Sequence, residues 1–229
     1  MTETTSRATT GAPGPTGDSE LAAAYTYLRR IVGWIAVSLP FVLMIGNMLF
    51  EGIEFKGSIS AYYYTRVGGI FVGALWALGV FFLSYNYRTL SGYWTDNHLS
   101  NFACAAAVGV ALFPTASDAA HDDGWEKTVS LLHLGCAGLL FGLLAYFSLV
   151  LFTRSGGAEI TPDKLRRNAV HRACGIIIVV AMALVLLSNA VKPSGSWHAL
   201  LVLETAAVVA FGFSWLVKGY AWTLGAPSA

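Results

Sequence analysis

Six long apolar runs alternate with short polar ones along this chain: Ile31–Phe50, Val67–Tyr85, Leu99–Ala116, Val129–Phe152, Ala169–Val191 and Ala199–Val217. Each approaches the ~20 residues that a helix needs to cross the hydrocarbon core of a bilayer. The pattern predicts an all-α, polytopic membrane bundle of six transmembrane helices within residues 21–220. Residues 1–20 are rich in Thr, Gly, Pro and Ser, lack apolar periodicity and read as a disordered cytoplasmic tail. Residues 221–229 read as a short C-terminal tail. No small-residue cleavage site ends the first run, so it reads as a span and not as a signal peptide.

Composition sharpens this picture. Hydrophobic residues make up 55% of the chain and charged residues 12%, against about a quarter charged in soluble domains. A net charge of +1 gives no reason to expect a nucleic-acid partner. Cys104, Cys136 and Cys174 each lie inside an apolar run and show neither a disulfide framework nor structural-zinc spacing.

The placement of the charges predicts the topology. Arg29, Arg30, Arg88, Arg154, Lys164, Arg166, Arg167 and Lys218 flank one side of the spans, while the alternate loops hold Lys56, Arg66, Lys127 and Lys192. By the positive-inside rule both termini are cytoplasmic, in a multi-pass protein of the plasma membrane. Thr161-Pro162-Asp163 reads as an N-cap followed by a first-turn proline. Gly69/Gly73, Gly138/Gly142 and Ala206/Ala210/Ser214 recur at four-residue spacing, which lets membrane helices approach within one chain or between copies.

Polar residues inside spans are costly, and each is a site hypothesis. Counted at ~1.5 Å per residue from the basic flanks, Glu204 falls roughly 21 Å away, Asn47 and Asn189 roughly 25 Å, and His133 and Arg66 roughly 32 Å, all in the outer half. Asp118 and His198 lie at span ends on that side. The candidate pocket therefore comprises Ser60, Tyr64, Arg66, Asp118, His133, His198 and Glu204, with Asn47, Ser58, His121 and Asn189 nearby. A bland reading stands beside each. Glu204 can serve a structural hydrogen bond or ion pair, His133 can be a packing histidine, and Asp118 and His121 can be solvated. A helix extended back through Ser60 would align Ser60, Tyr64 and Val67 on one face. The inner half offers only His171-Arg172, which reads as a snorkelling pair at the lipid boundary.

The segments GSISAYYYT (57–65), FVGALWALGVF (71–81), AAVGVALFPT (106–115) and AFGFSWLVKG (210–219) carry a resemblance. From Ile31 to Gly219 the chain resembles a family of uncharacterised bacterial integral membrane proteins, with related sequences in actinobacteria. That resemblance implies a multi-pass membrane protein and no particular activity. Ser58 or Ser60, Asp118, His121, His133 and His198 are also similar in type and side to the zinc-binding residues of ceramidase and adiponectin-receptor-like membrane hydrolases. Those proteins have seven spans and a paired His-x-x-x-His motif in the last, whereas this chain has six apolar runs and only His198 there.

Four functions are compatible with these residues. A scaffold would use the polar layer as helix–helix glue. A binding or transport protein would hold a lipid or small polar ligand in the outer pocket, with Arg66 facing an anionic group. A hydrolase of a lipid amide or ester would hold zinc with three of His121, His133, His198 and Asp118, leaving one position open, and Glu204 as base. Haem ligation by His133 and His198 lacks the second histidine pair that a transmembrane electron path needs. A non-catalytic scaffold or binding role is the expected function.

Overall fold

The computed structural model describes residues 17–84, 95–115, 124–154, 161–191 and 198–220. The expected site residues Asp118 and His121, most of the N-terminal tail and the C-terminal tail lie outside them. Among the described residues every regular element is helical: α1 (Gly17–Glu51), α2 (Gly68–Ser84), α3 (Thr95–Leu112), α4 (Gly124–Tyr146), α5 (Pro162–Val191) and α6 (Ala199–Tyr220). A 3-10 helix, Ser60–Tyr64, precedes α2, and α4 runs on into a π-helical turn, Phe147–Leu151.

Four of these helices are long and apolar enough to cross a membrane, over Ala23–Glu51, Gly124–Leu151, Pro162–Ser188 and Ala199–Tyr220. The other two apolar stretches, Gly68–Ser84 and His98–Leu112, are shorter. The second helix starts only after the 3-10 turn, and the third opens on the polar run Thr95–Ser100. The expected N-cap forms: Thr161 Oγ1 accepts the Lys164 N–H at 3.3 Å.

Each helix packs on its neighbours in chain order, and α1 closes onto α6, so the six form a ring. The tightest seam is this closure. A side chain at Gly212 would stand 2.7 Å from the Val37 nitrogen and 2.8 Å from the Gly33 carbonyl oxygen, so the two backbones meet there. The outer surface is apolar, with Trp34, Ile45, Leu49, Val80, Ile176, Leu186 and Val202 exposed. A large outward apolar surface of this kind marks contact with lipid.

The ring interior has two levels. Near the end that carries Arg30, Lys164 and Lys218, Trp215 is fully buried against Phe81, Phe152 and Phe211, with ring centroids 5.1, 5.1 and 5.9 Å away. Phe82 and Phe147 stack at 5.9 Å beside them. This aromatic cluster fills the ring. At the opposite end the α1–α2 connection folds over the opening, and a cavity lies beneath it.

Candidate functional site

The α1–α2 connection begins with Gly52 at φ 95°, a left-handed conformation that ends α1 at little steric cost. From there to Val67 its polar groups are tied to surrounding elements. Asn47 Nδ2 donates to the Glu54 carbonyl at 2.9 Å, and Glu51 Oε1 accepts the Arg66 N–H at 2.9 Å. His198 Nε2 donates to the Phe55 carbonyl at 2.8 Å. The Tyr64 hydroxyl donates to the Thr115 carbonyl at 2.7 Å. The shortest of these ties is to α6, where Glu204 Oε2 accepts the Ile59 N–H at 2.6 Å.

The continuous helix expected through Ser60 is replaced by a 3-10 turn and a bend at Thr65. Its tighter pitch, three residues per turn, sends Tyr62 inward. Tyr62 is fully buried, whereas Tyr64 is 51% exposed and lies on the rim. Burial pushes the Tyr62 hydroxyl above the usual phenol range, opposed by the nearby Lys56 backbone and charge. Tyr62 is thus the one of the three consecutive tyrosines that packs into the interior, which the sequence does not assign to any one of them.

Beneath this cover lies a cavity of about 70 Å³. Its polar groups come from Ser60, His133 and Glu204, and its walls are Ile59, Phe71, Leu75, Val110, Ala137, Leu140 and Phe141. His133 reaches it for a local reason. The helix α3 ends before Pro114, which leaves the Phe113 carbonyl without a helical donor. His133 Nδ1 lies 2.6 Å from that carbonyl. A carbonyl only accepts, so Nδ1 carries the proton and Nε2 of the neutral ring is an acceptor. Glu204 has one oxygen on the Ile59 N–H, and among the described residues its other oxygen has no protein donor.

The structure thus brings together Ser60, His133 and Glu204. Tyr64 and His198 lie at the same end, committed to backbone carbonyls. Arg66 is exposed and does not line the cavity, so the expected pairing of a bound anion with Arg66 has no support from its position. Among the described residues no three His, Cys, Asp or Glu side chains are placed to hold a metal ion. The expected zinc set would require Asp118 or His121.

The opposite half differs from the sequence expectation. His171 is 2% exposed, packs edge-on to Phe152 at 5.3 Å and pairs through Nδ1 with Ser214 Oγ at 2.9 Å. It is an interior residue and not a snorkelling one. Asn168 Nδ2 donates to the Thr153 carbonyl at 3.3 Å, and Ser148 is fully buried in the π-helical turn. Replacing Ser214 with alanine leaves the His171 nitrogen without its partner in an apolar setting. The expected cost is about 1–3 kcal/mol, read as a lowered unfolding midpoint in detergent. An unchanged midpoint would show that the pair adds nothing.

Comparison with protein-family models, with curated proteins and with solved structures finds no match to this chain.

Proposed function

We infer that this is a six-span membrane protein that binds the amine- or hydroxyl-bearing end of a small amphipathic molecule in the cavity under the α1–α2 connection. The observation that carries the reading is the cavity lining. It holds one carboxyl, one histidine acceptor and one hydroxyl on an otherwise apolar wall, and no cation among the described residues. Acceptors on an apolar wall favour a ligand that donates hydrogen bonds and has an apolar body. A phosphate or carboxylate end would face Glu204 without compensation.

Size narrows the ligand further. A cavity of about 150 Å³ admits a benzene-sized guest, and this one is about 70 Å³. It suits a short amine or alcohol end whose chain continues between helices. The helices α2 and α3 complete the six spans in this reading, because they share the ring with the four long helices and expose Trp76, Val80 and Phe102 outward. The basic end faces the cytoplasm of the plasma membrane by the positive-inside rule. Both termini lie at that end, and the cavity faces out.

The test uses purified full-length protein in detergent and saturation-transfer NMR with n-hexylamine, n-hexanol and n-hexanoate. Hexylamine and hexanol are expected to bind, and hexanoate to bind at least tenfold more weakly. Ala137→Leu, which fills the cavity, should abolish both contacts. Equal binding of hexanoate, or full binding in Ala137→Leu, would overturn the reading.

A further inference from the structure

The helices α4 and α5 touch near the basic end and part toward the cavity. A side chain at Gly175 would meet the Leu149 side chain and stand 3.3 Å from the Leu149 nitrogen, so the two elements are in close contact there. Nearer the cavity, Gly135, Gly138 and Gly142 recur at i, i+3 and i+7 and form one stripe of α4. Leu149 continues that stripe, displaced part of a turn by the π-helical residues. A side chain at any of the three glycines would meet nothing within 4 Å. The facing stripe of α5 opens in the same direction: Gly175 is buried, Val179 is 48% exposed and Leu186 is 60% exposed. The two helices therefore leave a groove open to lipid, closed at its inner end by Leu149 and Gly175.

This groove runs beside the cavity. Ala137 and Phe141 line the cavity, each precedes a glycine of the stripe, and both are half-buried. At about 70 Å³ the cavity holds the polar end of a ligand and not its body. Inside it Glu204 keeps one oxygen without a protein donor among the described residues. We propose that the groove between α4 and α5 seats the alkyl chain of the cavity's ligand, a single-chain lipid amine or alcohol that enters sideways from the outer leaflet. The inference rests on the cavity reading and names the ligand's body and its route. One file of glycines admits one chain. From His133 to Gly142 α4 rises about 14 Å, a length that a twelve-carbon chain spans and a six-carbon chain does not.

The experiment follows n-hexylamine on the full-length protein in maltoside detergent by saturation-transfer NMR and displaces it with n-dodecylamine. Gly142→Leu fills the groove beyond the reach of the shorter chain. It is expected to bind hexylamine as the original protein does, and to need at least tenfold more dodecylamine for the same displacement. Partition of the amines into micelles is common to both proteins and cancels. Should Gly142→Leu not fold, Gly142→Val takes its place with the same expectation. Equal displacement in the two proteins would overturn the groove and leave the cavity standing. No hexylamine contact in the original protein would remove the cavity reading and the groove with it. Light scattering supplies the last outcome: a dimer that Gly142→Leu converts to a monomer would show that a second copy fills the groove, and the proposal would fall.

Discussion

Replacing Gly212 with alanine is expected to lower the stability of the ring by about 3 kcal/mol. The added Cβ would lie 2.7 Å from the Val37 nitrogen, 2.8 Å from the Gly33 carbonyl oxygen and 2.8 Å from a Val37 side-chain carbon. Two of these three atoms are backbone, so they cannot rotate away, and α1 must move from α6. Overpacking of a close seam costs typically 1–3 kcal/mol and sometimes more. Here the displaced helix also carries Leu39 and Leu43 in the core and Asn47 under the cover. Gly142→Ala is the control, because a side chain there meets nothing within 4 Å. That substitution should be neutral or slightly stabilising. Unfolding of both variants by titration with a denaturing detergent gives the comparison. If Gly212→Ala is no more costly than Gly142→Ala, the α1–α6 approach is not the seam that holds the ring closed.

The glycines show where sequence pattern stops being informative. Four-residue spacing singles out Gly69/Gly73, Gly138/Gly142 and Ala206/Ala210/Ser214; Ala210 and Ser214 are buried, but a side chain at the glycines of the first two sets would meet nothing within 4 Å, and the backbones of α1 and α6 meet at Gly33 and Gly212 instead. That pair lies on different helices, so no spacing along one helix marks it. The helical class, in contrast, follows from apolar runs whose length and composition are local properties. Four of the six runs meet the length and apolarity of a membrane span, and the shorter two reflect a 3-10 turn and a polar helix start.

The polar residues divide in the same way. Glu204 stands out in sequence because it is alone among Leu, Val and Ala, although counting residues along the helices leaves it about 10 Å short of the height of His133. Both line one cavity. Their partners are backbone groups, the Ile59 N–H and the Phe113 carbonyl, which side-chain chemistry cannot reveal. His171 reads as a boundary residue because Arg172 follows it, and its actual partner, Ser214, lies 43 residues away. Interior position in a ring depends on which helix closes the circle, and only the fold supplies that.

Glu204→Ala is the change expected to open the cover. Ile59 is 5% exposed, and its N–H is satisfied by the Glu204 carboxyl at 2.6 Å, so truncation leaves a buried donor without an acceptor. Losing a hydrogen bond of this kind costs about 2–3 kcal/mol. The loss falls on the α1–α2 connection more than on the helices, because Ile59 lines the cavity and directly precedes the 3-10 turn Ser60–Tyr64. Hydrogen exchange in detergent should therefore show protection of residues 57–65 reduced about 30- to 150-fold, the factor that corresponds to that free energy. Protection in α1 and α6 near Gly33 and Gly212 should stay close to that of the unsubstituted protein. Glu204→Gln separates the two roles of the side chain. Its amide oxygen can still accept from Ile59, so the cover stays protected, while the carboxyl that faces an amine is gone and hexylamine binding weakens. If Glu204→Ala leaves residues 57–65 protected, the Ile59 contact does not hold the cover. If Glu204→Gln binds hexylamine as tightly as the original, the carboxyl does not recognise the ligand.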